Sequence, residues 1–198
     1  MESYIIKGHT LEYIDELHVY LCDGIIIPSV TKILSNKFKD KYKFVNNNTL
    51  KKASILGTQT HKAIEDYCKE GKETDLKELK NFKFLQKQYE FEVVDNEIPI
   101  IIFKDDVPLC AGRLDLVLKH NDDLMLGDIK RTATLDKEYL TYQLNLYRIG
   151  YQQCYDKQIK GLKGLHLREN KRRYVDIPIN EKKALELLDE FILKKWKY

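Results

Sequence analysis

No Cys-x-x-Cys pair occurs in this chain, whose four cysteines, Cys22, Cys68, Cys110 and Cys154, stand more than 40 residues apart. That spacing excludes a zinc ribbon and points to reduced thiols in a cytoplasmic protein. Long hydrophobic runs are missing too. None approaches the roughly 20 residues a helix needs to cross a bilayer, so no membrane partner is expected. The opening residues MESYIIKGHT lack a basic segment followed by an apolar one, which excludes a secretory signal there. Charge of one sign is scarce: 34 Lys and Arg against 31 Asp and Glu leave +3, too little to identify a partner. Repeats, low-complexity segments and long linkers are absent as well.

What remains is an ordinary globular composition, 43% hydrophobic and 33% charged over 198 residues. That length fits one domain, 1–198, with residues 1–48 as an N-terminal appendage of a hairpin and a helix. Short strands are predicted at His18–Cys22 and Gly24–Ile27 around the Asp23-Gly24 turn. Ser29 caps a short helix through Leu34 after Pro28. Helical spacing runs from Leu50 to Glu70, stopped by Gly71, and again from Asp75 to Glu90. Strands follow at Ile98–Phe103, Leu109–Lys119 and Leu124–Lys130. A helix over Lys137–Tyr155, strands at Gly164–Arg168 and Arg173–Ile177, and an amphipathic helix over Glu181–Trp196 complete the chain. The pattern predicts an α/β fold, a mixed central sheet flanked by helices.

The stretch GRLDLVLKHNDDLMLGDIK, residues 112 to 130, carries the most chemistry. Two apolar runs flank His120-Asn121-Asp122-Asp123, which reads as an antiparallel hairpin. With Asn121-Asp122 as a two-residue loop, opposed residue numbers sum to 243, and Asp115 then faces Asp128. Their Cβ atoms are expected about 4.5 to 5.5 Å apart. Lys130 shares the face of Asp128, because strand side chains alternate with period 2. Opposed buried carboxylates repel unless something neutralises them. A hard divalent cation such as Mg²⁺ or Mn²⁺ does so, taking oxygen ligands and supplying charge. The alternative is that both aspartates face solvent at a sheet edge.

Two helical pairs add to this. His61 and Glu65 in GTQTHKAIEDY are four apart and share a helix face. A neutral imidazole completes a carboxylate-held metal site and suits Mn²⁺ better than Mg²⁺, although a lone helical histidine is commonly structural. Gln143 and Tyr147 in YQLNLY have the same spacing, as phosphate or lysine partners or as plain helix-surface residues. Two basic runs are also present. KFKDKYK interleaves Lys37, Lys39, Lys41 and Lys43 with Phe38 and Tyr42. Residues 157 to 173 carry a balance of +6 in 17 residues, including Arg168, Lys171, Arg172 and Arg173. Lysines neutralise phosphates and aromatic rings stack on unpaired bases, so single-stranded nucleic acid is the expected partner, against a solvated charged loop. Arg113 and Arg131, beside the two acidic strands, join the candidate DNA contacts.

The order glycine, Asp115, Asp128-Ile129-Lys130, then Gln143-x-x-x-Tyr147 resembles the PD-(D/E)XK nuclease superfamily, specifically its RecB-like exonuclease branch with mitochondrial, phage and bacterial members. GTQTHKAIEDY is similar to that branch's histidine-bearing helix, and IPSVTKIL from Ile27 to Leu34 matches as well. The resemblance implies a restriction-endonuclease-like fold. It implies metal ligands at His61, Asp115 and Asp128, with the Ile129 carbonyl contributing, and an acidic residue on the preceding strand, for which Glu97 in NEIPIII is the candidate. Lys130 would position the attacking water and stabilise charge on the scissile phosphate, supported by Gln143 and Tyr147. Some relatives hold an iron–sulfur cluster through one early and three clustered late cysteines. Here no cysteine follows Cys154, so no cluster is expected.

The leading expectation is therefore a Mg²⁺- or Mn²⁺-dependent DNA exonuclease acting on single-stranded or frayed ends in replication, recombination or repair. A structure- or sequence-specific endonuclease is the second reading, since one core serves both. A non-catalytic DNA-binding module is the third, and the intact Asp115, Asp128 and Lys130 argue against it.

Overall fold

A computed structural model describes residues 2–41 and 43–195. The N-terminal residues form an antiparallel sheet of four strands, β1 (Glu2–Ile6), β2 (His9–Ile14), β3 (Val19–Cys22) and β4 (Ile25–Ile27), in that order. Lys7-Gly8 (φ 51° and 83°) and Asp23-Gly24 (φ 51° and 78°) are left-handed at both turn residues. That turn matches the right-handed twist of paired strands. The second hairpin is the expected one. The first was not expected, although Gly8 between the β-prone runs ESYII and HTLEYI is the same signal.

Ser29 Oγ accepts from Lys32 N at 3.0 Å and opens α1 (Val30–Lys37), which runs three residues past Leu34. Helix α2 (Asn47–Glu70) starts before the expected Leu50 because Asn46 Oδ1 accepts from Asn48 N at 2.8 Å. It ends at Gly71, whose φ of 67° suits a residue without Cβ. Helix α3 (Lys77–Gln88) leads into the second sheet. Its strands are β5 (Glu92–Lys104), β6 (Val107–His120), β7 (Asp123–Lys130), β8 (Gly161–Arg168) and β9 (Lys171–Ile177), ordered as numbered. All neighbours are antiparallel except β7 and β8, which are parallel. A parallel pair needs a crossover, and α4 (Lys137–Tyr155) supplies it over the range the sequence predicts. Helix α5 (Glu181–Lys195) follows; Trp196 lies outside the described residues.

The protein is thus an α/β fold with a mixed central sheet flanked by helices. Alternation along β6, β7 and β8 sorts its side chains into two layers. Leu116, Leu118, Met125, Ile129, Leu165 and Leu167 pack with Ile64 of α2 and Leu79, Phe82 and Leu85 of α3. Val117, Leu126 and Leu162 face the other way, onto Leu140 and Leu144 of α4. A sheet covered on both faces needs nearly continuous apolar strands, which is why LDLVL and LMLGDI contain so few polar residues. Each fully buried Leu or Ile contributes about 1.5–3 kcal/mol, so polar residues in these strands stand out. Leu11, Tyr20 and Ile27 of the first sheet join the α4-side core, and Ala111 N donates to Pro28 O at 3.0 Å between the sheets. Among the described residues, no helix is long and apolar enough to cross a membrane.

Candidate metal centre

The β6–β7 ladder has the predicted register, with His120 opposite Asp123 through to Leu116 opposite Gly127. The next position in that register sets Asp115 against Asp128, and there side chains take over. Asp115 Oδ2 accepts from Ile129 N at 2.6 Å, tying the strands where the ladder ends. Asp115, Asp128 and Lys130 fall on the α4 side of the sheet, in phase with Val117 and Leu126.

Glu97 arrives from β5. Its neighbours pair as Asn96 with Leu116 and Ile98 with Leu114, which puts Glu97 at the position facing Asp115. Its φ is 52°, left-handed for a glutamate. That conformation costs about 1–2 kcal/mol, and such strain concentrates at functional positions. His61 comes from α2, with Nε2 3.2 Å from the Ile129 carbonyl oxygen. A carbonyl only accepts, so Nε2 carries the hydrogen and a neutral ring keeps its lone pair on Nδ1. Nδ1 lies 3.6 Å from Asp115 Oδ1 and 3.9 Å from Glu97 Oε1. One donor atom from each of His61, Glu97 and Asp115 falls within 4.8 Å of the others.

These separations suit an ion. Hydrogen bonds of this kind close to about 2.7–3.2 Å. Bonds of about 2.1 Å to an octahedral cation put adjacent ligand atoms about 3.0 Å apart and opposite ones about 4.2 Å apart. The observed distances lie between those limits. Protons tell the same story, because burial favours a neutral His61 yet the Asp115 and Glu97 carboxylates overcome it and push the imidazole up to about 9. Positive charge is wanted at this point, and without a metal the histidine supplies it.

Asp128 is 1% exposed, and neither carboxylate oxygen has a hydrogen-bond partner. Among the described residues its ion-pair partner is the ammonium of Lys130. Burial pushes the Asp128 carboxyl up against the pull of Lys130, and neighbouring Asp115 pushes it further. For Lys130, burial favours the neutral amine, but Asp128 and Asp115 outweigh it and keep the ammonium. A buried carboxylate held by a single ammonium, beside three convergent donors, is an arrangement a hard cation relieves.

Gln143 and Tyr147 are buried on α4 rather than on its surface. Gln143 Oε1 has no partner, and with Lys130, Thr31, Thr132, Tyr139 and Lys41 the residue lines a cavity of about 190 Å³. The Tyr147 ring lies on β6 at Gly112, where an added Cβ would stand 2.7 Å from Tyr147 Cε1. The glycine of the motif is therefore a contact surface for the tyrosine.

Other expected site residues are placed differently. Glu65 turns away from His61 and pairs with Lys69 at 2.7 Å. Arg113 is not an open DNA contact. Its Nε holds Glu97 at 2.8 Å and its Nη1 holds Glu2 at 2.8 Å. Arg131 makes a buried pair with Glu78 at 2.7 Å, the side chains 8% and 2% exposed. The 157–173 run is not one patch: seven steps along β8 separate its ends by about 23 Å at ~3.3 Å per residue. Lys160 and Lys163 sit at the far end, where Lys160 N bonds Leu124 O. Arg168, Lys171, Arg172 and Arg173 sit at the Lys130 end, with Lys171 Nζ on Ala133 O at 2.7 Å and Arg172 over the Phe84 ring at 3.6 Å. In KFKDKYK, Phe38 packs on Tyr139 and Tyr142, ring centroids 5.3 and 5.8 Å away, so it is core rather than a base platform. Lys37 lies over Tyr142, Lys39 borders a groove between α1 and α5, and Lys43 nears Asp40 at 3.8 Å. Lys41 pairs with Asp136 at 2.8 Å beside the Lys130 cavity. Tyr42 lies outside the described residues.

Sequence reasoning missed the Arg113–Glu97 pairing, and Thr31, Thr132 and Asp136 at the cavity, none of which a spacing reveals. It also missed a second group able to hold a metal, His9, Cys22 and Asp23 in the first sheet.

No family model matches this sequence, and no curated protein matches it. Among solved structures the chain is similar to SSO0001, at 16% identity over 83% of this chain and 74% of that one, with a TM-score of 0.47. Likeness at this level leaves the chemistry to the residues themselves.

Proposed function

We propose that this protein is a metal-dependent deoxyribonuclease of PD-(D/E)XK type, an exonuclease acting on single-stranded or frayed DNA ends, and that its mixed sheet is a restriction-endonuclease-like core. The observation that carries the reading is the meeting of His61, Glu97 and Asp115 within 4.8 Å, beside a buried Asp128 paired with Lys130.

Mg²⁺ or Mn²⁺ is the cofactor the donor set fits; Glu97, Asp115, Asp128 and His61 Nδ1 would hold it, with the Ile129 carbonyl as a further oxygen donor. A bound divalent ion lowers the pKa of a coordinated water and polarises a phosphate oxygen. The protein does the rest. His61 Nε2–H on the Ile129 carbonyl holds the imidazole in the tautomer that offers Nδ1. Arg113 balances Glu97 at Oε2, while Oε1 is the oxygen near His61 Nδ1. Lys130, kept protonated, stabilises charge developing on the scissile phosphate rather than acting as a base. Gln143 walls the cavity beside it, and Tyr147 packs on β6 at Gly112. Lys41 borders the Lys130 cavity, and Lys171 and Arg173 lie at that end of the sheet, cations that favour a polyanion.

The test is incubation of end-labelled linear single strand, linear duplex and closed circular single strand with Mg²⁺ or Mn²⁺. Degradation of linear DNA with the circle intact is the expected result. Cutting of the circle would make the protein an endonuclease, and binding without cleavage in either metal would remove the catalytic reading.

A further inference from the structure

The first sheet holds a second constellation, remote in sequence from the acidic centre and different in chemistry. His9 opens β2, Cys22 closes β3, and Asp23 is the first residue of the turn that follows. Thr10 and Asp23 lock together: Asp23 N donates to Thr10 O at 2.9 Å, and Thr10 N donates to Asp23 Oδ1 at 2.8 Å. That leaves Asp23 Oδ2 facing His9 Nδ1 at 2.7 Å. One donor atom from each of His9, Cys22 and Asp23 lies within 4.8 Å of the other two. Cys22 is a free, buried thiol.

We propose that His9, Cys22 and Asp23 form a binding site for a thiophilic divalent cation of the zinc class, separate from the Mg²⁺ or Mn²⁺ centre.

Donor chemistry sorts the two sites. His61, Glu97, Asp115 and Asp128 offer three carboxylates and one nitrogen, a hard set. Thiolate, imidazole and carboxylate together are a borderline-soft set, which zinc takes and magnesium does not. Tetrahedral bonds of about 2.0–2.3 Å hold donors about 3.3–3.7 Å apart. The His9–Asp23 contact must therefore open by roughly 0.6 Å, which a half-exposed turn residue permits. Binding needs the lone pair of His9 Nδ1, with the ring hydrogen on Nε2, and the Cys22 thiol proton leaves to solvent.

Access and charge support the same conclusion. His9 lines a cavity of about 500 Å³ with Phe103, Asp105 and Asp106, and its ring lies 5.4 Å from that of Phe103. Asp105 and Asp106 form the β5–β6 turn with φ of 50° and 59° and add two carboxylates to the entrance. The one lysine at that cavity, Lys7, is paired with Asp156 at 2.5 Å. Those carboxylates favour a cation on the His9 side of the site. Once bound, it joins β2 to β3 in a sheet whose strands are only three to six residues long.

Co²⁺ titration into metal-stripped protein tests this directly, because a thiolate ligand gives a near-ultraviolet charge-transfer band that the carboxylate centre does not. One equivalent should produce the band, and Zn²⁺ should abolish it. Asp115→Asn should retain it. Cys22→Ser should lose it, while His9→Gln and Asp23→Asn should weaken Zn²⁺ binding by more than about 100-fold, the upper range for loss of even an indirect contact. If Cys22→Ser does not fold, the latter two variants decide, since both replace partly exposed side chains. Absence of the band, its survival in Cys22→Ser, or unchanged Zn²⁺ affinity in His9→Gln and Asp23→Asn would overturn the proposal.

Discussion

His61 Nε2 and the Ile129 carbonyl oxygen lie 3.2 Å apart, and that contact aims the other ring nitrogen at Asp115 and Glu97. A helix residue thereby becomes part of a site otherwise built on three strands. The same contact makes the ring's protonation a competitor of metal binding.

In metal-free protein His61 is pushed up to about 9 by Asp115 and Glu97 against the effect of burial. A raised histidine pKa contributes stability that is complete below about 6.5, the unfolded value, and lost as pH rises through about 9. The metal must displace this proton, so Mn²⁺ affinity should climb about tenfold per pH unit between 7 and 9 and then flatten. Calorimetric titration across that range checks it, and His61→Ala should both weaken binding and flatten the profile. Unchanged affinity in His61→Ala would return the residue to a structural role.

Asp128→Asn should abolish cleavage while retaining or improving DNA binding, because it removes a ligand charge that also repels phosphate. Burial raises the Asp128 pKa, so the folded state holds its proton more tightly than the unfolded one. Ionisation therefore destabilises the metal-free protein as pH rises past the ordinary carboxylate value. The variant should gain less in melting temperature from added Mn²⁺ than wild type does. Wild-type turnover at saturating Mg²⁺ would remove Asp128 from the site.

Lys130→Ala should slow single-turnover cleavage by on the order of 10² to 10³ with metal affinity preserved. It also leaves Asp128 buried without its ammonium, and breaking such a pair costs about 3–5 kcal/mol, so a lower melting temperature should accompany the rate loss. Lys130→Arg keeps the charge but brings a planar fork where a compact group fits, and should restore stability better than rate. A near-wild-type rate for Lys130→Ala would mean the metal alone carries the reaction.

Gly112→Ala should destabilise by about 1–3 kcal/mol through overpacking, since the new Cβ meets Tyr147 Cε1 at 2.7 Å. Displacing that ring should lower kcat with little change in metal affinity. Denaturant midpoints and metal titration together check the two halves.

Much of this arrangement was legible in the residues. Asn121-Asp122 between two apolar runs sets the β6–β7 register, and period 2 then puts Asp115, Asp128 and Lys130 on one face. Ser29, Gly71 and the range of α4 followed from capping and helical spacing. The Lys7-Gly8 turn was equally written there and was overlooked.

Local rules have short reach, and this is where the division falls. Alternation and helical periodicity act over a few residues, so the sequence by itself determined elements, the hairpin register and the shared face of the three motif residues. Which distant elements meet depends on how both faces of one sheet are covered. Only the tertiary structure brought His61 of α2 over Ile129, set Glu97 against Asp115 in a left-handed conformation, and gave Arg113 to Glu97 and Arg131 to Glu78. It also drew β8 straight through the basic run and so carried Lys160 away from Arg168, because an extended strand separates in space the charges that composition counts together.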